Sequence, residues 1–250
     1  MKTIIFTDLD DTLFYSSRAV ASLKKQGIVQ AEEILEPASY TQSGQAICFS
    51  RPKQTQLIHL LKQADHFIPV TGRSSESLAR VCQPSFNSFR ISSHGAMVYN
   101  AELKPQPDWL KQIKELAVHW SYHLDQAMTF LKDYQKSEPE LRIKKVYEQQ
   151  ICTYISIKGP EHIIKDLYCS IKPIWAKGKI HYNQRNLALL PSYSDKATAV
   201  NYLMNHFQQI YGEELLFIGV GDSVSDLSFL KLCDFVITPQ TSQIHRETWL

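Results

Sequence analysis

The sequence predicts an α/β protein with a doubly wound, mostly parallel, Rossmann-like sheet core and a smaller α+β domain inserted into it. Two observations carry this prediction. Short β-branched runs alternate with helical patterns in both terminal parts of the chain, as in parallel sheets flanked by helices. The middle of the chain instead places one long amphipathic pattern before two adjacent strand patterns, which is typical of a separate α+β unit.

The core begins with Lys2–Thr7, a run without polar alternation that predicts a strand buried on both faces. Helical stripes and further strand-like runs follow it, and the same alternation resumes after the insert. The later core elements are predicted as helix Gln54–Gln63, strand Phe67–Thr71, helix Ser74–Val81, extended segment Phe89–Ser93, strand Asn186–Leu190, helix Asp195–Gln208, strand Leu215–Val220, helix Ser225–Leu230 and strand Phe235–Ile237.

The insert is placed at residues 104–185, which leaves residues 1–103 and 186–250 for the core. Its first pattern repeats apolar residues every three or four positions and predicts one long helix. The two strand patterns after it are separated by a short link, which predicts an antiparallel hairpin. The predicted elements are helix Asp108–Lys136, strands Leu141–Tyr147 and Ile151–Ile157, helix Glu161–Ile171 and a strand near Ile180.

The composition excludes several classes of protein. Of the 250 residues, 44% are hydrophobic and 21% are charged, so the chain can bury a core and is not disordered. A formal charge of +2 provides no basic stripe for nucleic acid, and no apolar run reaches the roughly 18 residues of a membrane span. The opening apolar run is too short for a signal peptide, and five scattered cysteines indicate reduced thiols. We therefore expect a cytoplasmic protein without nucleic-acid or membrane partners.

Chemically active residue types lie where predicted strands end or helices begin. The first strand runs into D-L-D-D-T at residues 8–12, and open α/β sheets carry their sites at such strand ends. The sequence T-G-R at residues 71–73 precedes a helix, whose free N–H groups suit phosphate oxygens. Lys196 opens a later helix, and G-D-S-V-S-D at residues 221–226 follows another strand.

In this order, D-x-D-x-T, T-G-R, a helix-start lysine and G-D-x-x-x-D resemble the four motifs of the haloacid dehalogenase-like (HAD) hydrolase superfamily. The insert between the second and third motifs is similar to the C2-type α+β cap domain. That subclass includes Cof-type sugar phosphatases, sucrose-phosphate and trehalose-phosphate phosphatases and phosphomannomutases. The resemblance implies a Mg²⁺-dependent phosphomonoesterase that hydrolyses a small phosphorylated metabolite, a sugar phosphate, through a phospho-aspartate intermediate.

The resemblance also implies a role for each motif residue. Asp8 attacks phosphorus, and Asp10 protonates the leaving oxygen and then activates water. Mg²⁺ is held by Asp8, the carbonyl of Asp10 and Asp222. The gathering of carboxylates at one edge of the sheet itself favours a cation with oxygen ligands. The remaining expected contacts are those of Thr71, Gly72 and Lys196 with phosphate oxygens, and of Asp226 with the metal ligands or Lys196. The alternative for Asp226 is that it caps the last helix.

Some positions leave alternatives open. Arg73 is expected either to contact substrate or to form a structural ion pair. His94 stands in S-H-G-A where many Cof-type relatives have S-N-G-A, and either contacts substrate or caps a turn. Asp11 is interpreted as a capping or turn residue, because one general acid is enough. Residues 14–51 form a longer link than usual, and the Tyr40–Ser50 portion is expected to form a hairpin flap over the site.

Other functions fit the sequence less well. A phosphomutase resembles the same layout but keeps water from its phospho-enzyme, whereas a catalytically silent regulatory or binding protein would not need the intact acidic motifs. Gly219–Gly221 begins like a dinucleotide fingerprint, but Val224 stands where its third glycine belongs. His119 and His123 lie four residues apart without a third zinc ligand nearby, which favours a solvated helix face.

Overall fold

The computed structural model describes residues 1–212 and 214–248. The chain divides into two compact units, the first formed by Met1–Lys104 with Lys196–Leu250 and the second by Pro105–Asp195. None of the helices among the described residues combines the length and apolar character of a membrane span.

The strands are β1 (Lys2–Thr7), β2 (Tyr15–Ser16), β3 (Glu36–Tyr40), β4 (Ala46–Ser50), β5 (His66–Pro69), β6 (Arg90–Ser92), β7 (Met97–Tyr99), β8 (Arg142–Glu148), β9 (Ile151–Lys158), β10 (Lys179–Asn183), β11 (Asn186–Leu190), β12 (Leu215–Val220) and β13 (Phe235–Ile237). The helices are α1 (Ser17–Lys25), α2 (Pro52–Leu61), α3 (Ser75–Leu78), α4 (Pro107–Ser137), α5 (Glu161–Ile171), α6 (Lys196–Tyr211), α7 (Leu227–Leu230) and α8 (Gln243–Thr248).

A four-stranded parallel sheet forms the centre of the first unit, with strand order β13–β12–β1–β5. β1 lies between β12 and β5, so that Ile4 pairs with Phe217 and Ile5 with Phe67. Ile4, Ile5 and Phe6 are buried, as expected of a central strand covered on both faces. The predicted α/β fold with a mostly parallel core sheet is confirmed.

A three-stranded antiparallel sheet, with strand order β2–β4–β3, lies within residues 14–51 of the first unit. β3 and β4 form a hairpin that begins at Glu36, before the Tyr40–Ser50 portion predicted from the sequence, and we refer to it as the β3–β4 hairpin. The chain after α3 runs beside it, because Val81 forms an isolated antiparallel bridge with Ser39. This pairing requires an extended backbone, so α3 ends at Leu78 rather than continuing to Val81.

The second unit is built on a four-stranded antiparallel sheet with strand order β10–β11–β9–β8. The β8–β9 hairpin predicted from the short link is present, and α4 forms as one continuous helix. The apolar stripe of that helix is buried, as its spacing predicted. The buried residues of α4 are Trp109, Ile113, Trp120, Leu124, Ala127 and Leu131.

One strand lies in a different sheet from the one predicted. The sequence predicts Asn186–Leu190 in the core sheet, but this strand pairs antiparallel with β9 and β10, and the second unit extends past Arg185 to Asp195. The prediction is wrong because a short, buried apolar strand has the same pattern in a parallel or an antiparallel sheet. The signal that identifies the correct sheet is the two-residue link Gln184–Arg185, a length typical of a hairpin.

Candidate active site

Two neighbouring parallel strands bring the acidic motifs to the same edge of the core sheet. β1 and β12 end together, since Thr7 pairs with Val220 and the N–H of Asp8 donates to the carbonyl of Val220 at 2.8 Å. The loops that carry Asp8 and Asp222 therefore start side by side. Carboxylate oxygens of Asp8, Asp222 and Asp226 lie within 4.8 Å of one another. These three predicted site residues are thus brought together by the fold.

Lys196, the first residue of α6, lies between two of these carboxylates. Its Nζ donates to Asp8 Oδ1 at 2.6 Å and to Asp226 Oδ1 at 2.7 Å. All three side chains are buried, and the ammonium also lies 5.8 Å from the centre of the Phe229 ring. A buried charge is costly unless it is paired, so the Lys196 ammonium depends on the carboxylates beside it.

The charges in this cluster do not balance. Burial, reinforced by Asp226 and Asp222, raises the pKa of Asp8 well above its ordinary value, although Lys196 opposes this. Burial and the neighbouring Asp226 likewise raise the pKa of Asp222 to about 7. Burial lowers the pKa of Lys196, but the two carboxylates outweigh it and leave that pKa raised, so the ammonium stays charged. One ammonium beside three carboxylates leaves the site short of positive charge.

Asp226 organises the loop that carries Asp222. Its Oδ2 accepts hydrogen bonds from the N–H of Asp222 at 3.3 Å, from the N–H of Ser223 at 3.1 Å and from the Ser223 hydroxyl at 2.8 Å. A Cβ on Gly221 would lie 2.9 Å from the Cβ of Asp226, so the close approach requires glycine. Both Asp226 oxygens are therefore engaged within the protein, and Asp8 and Asp222 are the better candidates for metal ligands.

Thr12 contacts the aspartate cluster, although the sequence analysis assigns it no role. The turn after β1 brings its hydroxyl to 3.3 Å from Asp8 Oδ2 and 3.1 Å from Asp222 Oδ1, so it can donate to either carboxylate. Its side chain is buried and cannot reorient freely. Its position as the last residue of the D-x-D-x-T motif was the signal that it belongs to the site.

Arg73 forms an ion pair with Asp10, which was one of the two alternatives. Nε and Nη2 donate to the two carboxylate oxygens at 2.7 and 2.6 Å, a bidentate arrangement. Nη1 donates to Ser39 Oγ at 2.9 Å, and Nη2 also contacts Cys48 Sγ at 3.1 Å. The guanidinium carbon lies 5.1 Å from the centre of the Phe14 ring. Neither Ser39 nor Cys48 stood out in the sequence, because neither belongs to a motif.

The T-G-R segment is tied to the turn that contains His94. The N–H of Ser93 donates to the carbonyl of Arg73 at 2.7 Å, and the N–H of His94 donates to the carbonyl of Thr71 at 3.0 Å. Both turn residues have positive φ values, 48° and 57°. A Cβ on Gly72 would overlap the His94 ring, so this glycine lets the imidazole lie against the segment expected to bind phosphate. His94 therefore belongs to the turn and also lies beside the site.

Asp11 is a turn residue, as interpreted from the sequence. Its φ is 61°, and its N–H donates to the carbonyl of Phe14 at 2.9 Å. Asp and Asn tolerate this left-handed conformation better than most residues. Burial, together with the adjacent Asp10 carboxylate, raises the pKa of Asp11 to about 6.

Two other sequence features have a structural explanation. Gly219 serves packing, because a Cβ there would lie 2.7 Å from the Leu230 side chain. His119 is exposed on α4, and the His123 ring lies against Trp120. Within residues 1–212 and 214–248, the one group of three or more possible metal ligands is the aspartate cluster already described.

The fold and the order of these motifs place the chain among the phosphatases of the HAD superfamily, as the sequence resemblance implied. Within that superfamily it belongs to the sucrose-6F-phosphate phosphohydrolase family, whose model matches residues 50–236. No curated protein matches the chain significantly.

Several solved structures share the fold across both units. A trehalose-6-phosphate phosphatase related protein is 19% identical, with a TM-score of 0.52 over 94% of this chain and 85% of that chain. A haloacid dehalogenase-like hydrolase from Bacteroides thetaiotaomicron is 12% identical, with a TM-score of 0.51 over 95% of this chain and 94% of that one. A phosphatase of the haloalkanoate (HAD) superfamily from the same organism is 10% identical, with a TM-score of 0.52 over 98% and 93%. At these identities the likeness shows the fold alone.

Proposed function

We propose that this protein hydrolyses a sugar phosphate with the help of Mg²⁺, through a phospho-aspartate formed on Asp8. The observation that carries the proposal is the buried contact of Asp8 with Lys196, at the edge of the sheet where Asp222 also lies. This arrangement brings together the proposed nucleophile Asp8, the proposed phosphate-binding cation Lys196 and the proposed metal ligand Asp222. Membership of the sucrose-6F-phosphate phosphohydrolase family supports a sugar phosphate as the substrate class.

The carboxylates of the site fit a magnesium ion. They are oxygen ligands, and the raised pKa values of Asp8 and Asp222 indicate a shortage of positive charge between them. Because the oxygens of Asp226 are engaged by Lys196 and its own loop, we assign Asp8 and Asp222 as the carboxylate ligands. The carbonyl of Asp10 is added as the third ligand because the resemblance to the HAD superfamily implies it. When bound, Mg²⁺ supplies positive charge that offsets the negative charge of the transferring phosphoryl group.

In the first half-reaction an oxygen of Asp8 attacks phosphorus, and the bond between phosphorus and the sugar oxygen breaks. Lys196, 2.6 Å from Asp8, orients the carboxylate and holds a phosphate oxygen. The Thr71 hydroxyl and the backbone N–H groups at Gly72 hold the other oxygens. Asp10 donates a proton to the leaving sugar oxygen, so that the sugar departs as an alcohol.

In the second half-reaction the Asp10 carboxylate takes a proton from water. The water oxygen attacks the phosphorus of the acyl phosphate on Asp8, the phosphorus–carboxylate bond breaks, and inorganic phosphate leaves. Asp8 is thereby restored. A phosphomutase differs at this step, because a second sugar hydroxyl takes the place of water.

A free-phosphate release screen tests the proposal. Sugar phosphates are compared with nucleotides and small acid phosphates in Mg²⁺, and the Asp8→Asn variant is the matched control. We expect Mg²⁺-dependent phosphate release that is fastest with a sugar phosphate and absent in the variant. An isomerised sugar phosphate without free phosphate would instead identify a mutase. No turnover of any compound would contradict the proposal.

We also propose that the protein works in a reducing compartment, the cytoplasm. The cysteines of the chain are all free, which supports this assignment because disulfides persist in oxidising compartments. Labelling with a thiol reagent under denaturing, non-reducing conditions, on protein extracted from cells, should modify every cysteine. The cysteines are Cys48, Cys82, Cys152, Cys169 and Cys233.

A further inference from the structure

We propose that the β3–β4 hairpin positions the general acid of the reaction, because Ser39 and Cys48 hold the arginine that orients Asp10. The assignment rests on the proposed function, since it concerns the delivery of a proton to the leaving group. It adds two positioning residues that belong to none of the four motifs. Both also precede residue 50, where the match to the family model begins.

In the Arg73–Asp10 pair, the arginine is the fixed partner. The Arg73 side chain is 11% exposed, whereas the Asp10 side chain is 47% exposed. The guanidinium is held by the Ser39 hydroxyl at 2.9 Å and by the Cys48 sulfur at 3.1 Å, with the Phe14 ring beneath it. Asp10, by contrast, stands in a partly solvated loop. The direction in which its carboxylate points is therefore set by a guanidinium that cannot move with it.

The hairpin is built so that both of its side chains reach the same group. Ser39 and Cys48 are paired residues on adjacent antiparallel strands, and such cross-strand neighbours lie on one face of the sheet. The strand register shifts on both sides of Ser39, between Pro37 and Ser39 and between Ser39 and Tyr40. Irregularities of this kind re-aim a side chain out of the regular alternation. Both Ser39 and Cys48 are buried, so their positions are set by packing.

The contact with sulfur leaves the arginine charge available for Asp10. Burial raises the pKa of the Cys48 thiol, even though the nearby Arg73 opposes this. The thiol is therefore neutral and serves as a hydrogen-bond acceptor, not as a competing anion. The hairpin fixes the guanidinium, which contacts both oxygens of the Asp10 carboxylate. When Asp10 carries the proton, the oxygen that bears it gives up its contact, and the guanidinium orients the acid through the other oxygen. Proton transfer by a positioned side chain contributes about 10² to 10⁴ in rate, and much of it is lost when the group is free to rotate.

The test compares two aryl phosphates that differ in their need for a general acid. p-Nitrophenolate leaves readily without a proton, whereas phenolate is more basic and gains more from protonation. The variant Ser39→Ala/Cys48→Ala removes both contacts with Arg73. The matched control, Ser43→Ala/Cys169→Ala, removes the same two groups at exposed positions of the hairpin turn and of α5. Folding of each variant is checked by circular dichroism and thermal unfolding.

We expect kcat/KM for phenyl phosphate to fall about tenfold in Ser39→Ala/Cys48→Ala, and kcat/KM for p-nitrophenyl phosphate to fall less than about twofold. The control variant should change neither value. Cys48→Ser, which keeps an acceptor for the guanidinium, should retain the wild-type ratio, whereas Cys48→Ala should not. These single variants decide the matter if the double variant does not fold.

Equal losses with both substrates, or no loss with either, would overturn the assignment, because the hairpin would then act only on the fold or not at all. These results leave the proposed function standing, since the wild type still turns over. Failure of the wild-type protein to release phosphate from any sugar phosphate or aryl phosphate in Mg²⁺ would contradict the proposed function itself, and the hairpin assignment with it.

Discussion

Asp8 and Asp10 are two positions apart in the sequence, yet they lie in opposite electrostatic settings. Asp8 is buried in a cluster with Lys196 and Asp226, near Asp222, where negative charge exceeds positive charge. Asp10 is half exposed and pairs one to one with a buried arginine. Burial therefore raises the pKa of Asp8, the proposed nucleophile. Asp10, the proposed acid, is instead oriented by Arg73, and water screens its charge.

Changes in these two regions should affect the stability of the protein differently. An unbalanced buried cluster lowers the stability of the folded state until a cation binds, so changes within it can remove activity and still stabilise the protein. The Asp10 pair is partly exposed, and pairs of that kind contribute about 0 to 1 kcal/mol. Changes there should affect activity with little effect on unfolding.

Asp8→Asn should have the largest effect and break the cluster. We expect phosphate release to fall by at least about 10³-fold, because an amide is a poor nucleophile. The free energy of unfolding in EDTA at pH 8 should rise. The folded-state pKa of Asp8 lies above its unfolded value, so at that pH its ionisation disfavours the folded state. Activity within tenfold of wild type, or a lower unfolding temperature in EDTA, would contradict this account.

Asp10→Asn should have the next largest effect on activity, and it alters the Asp10–Arg73 pair instead of the Asp8 cluster. We expect kcat/KM for the best sugar phosphate to fall by about 10² to 10⁴, because proton transfer to the leaving group is lost. The unfolding free energy should change by less than about 1 kcal/mol, since the Asp10 carboxylate is half exposed and the amide oxygen of asparagine can still accept from Arg73. Steady-state kinetics and urea unfolding measure both quantities. A large loss of stability would show that the pair is structural.

Removal of the metal tests whether the Asp8–Asp222 cluster binds a Mg²⁺ ion that activity requires. EDTA should abolish activity and Mg²⁺ restore it, whereas Ca²⁺ should bind without supporting turnover, because it takes more ligands at longer distances. Asp222→Asn should raise the Mg²⁺ concentration for half-maximal activity by about tenfold or more. The control Asp133→Asn, at an exposed position on α4, should leave it unchanged. Full activity of the wild type in EDTA would refute the metal assignment.

Asp11→Asn should have the smallest effect on activity, less than about twofold, because asparagine accepts the positive φ of this turn. Its effect on stability should depend on pH. The pKa of Asp11 is about 6 in the folded protein and about 4 in an unfolded chain, so ionisation destabilises the fold increasingly between these values. The variant should therefore unfold at a higher temperature than wild type at pH 8, with the difference vanishing near pH 4. A gain that grows toward low pH would contradict the sign.

The site residues that the sequence identified are those whose chemistry and place relative to a strand end agree. Asp8 and Asp222 could be expected to meet, because parallel strands end at one edge of a sheet. Lys196 could be expected beside them from the order of the motifs. The bounds of strand Asn186–Leu190 were predicted correctly, but the strand was assigned to the wrong sheet. The apolar pattern of a buried strand does not indicate which strands it pairs with.

The contacts around Arg73 could not be predicted in the same way. Its partners Ser39 and Cys48 depend on the register and irregularity of a hairpin, which no local pattern specifies. The pair with Asp10 was one of two alternatives, since a guanidinium binds a carboxylate or a phosphate equally well. Thr12 stood in a motif, but its contact with both carboxylates depends on how tightly the turn after β1 folds back.

The most direct test of the central claim is to identify the carboxylate that becomes phosphorylated. The wild-type protein is quenched during turnover of its best substrate in Mg²⁺ and treated with borohydride, which reduces an acyl phosphate to an alcohol. Peptide mass spectrometry then locates the product. We predict homoserine at position 8, with none in Asp8→Asn. Reduction at Asp10 or at another carboxylate, or no reduction during active turnover, would contradict a phospho-aspartate on Asp8.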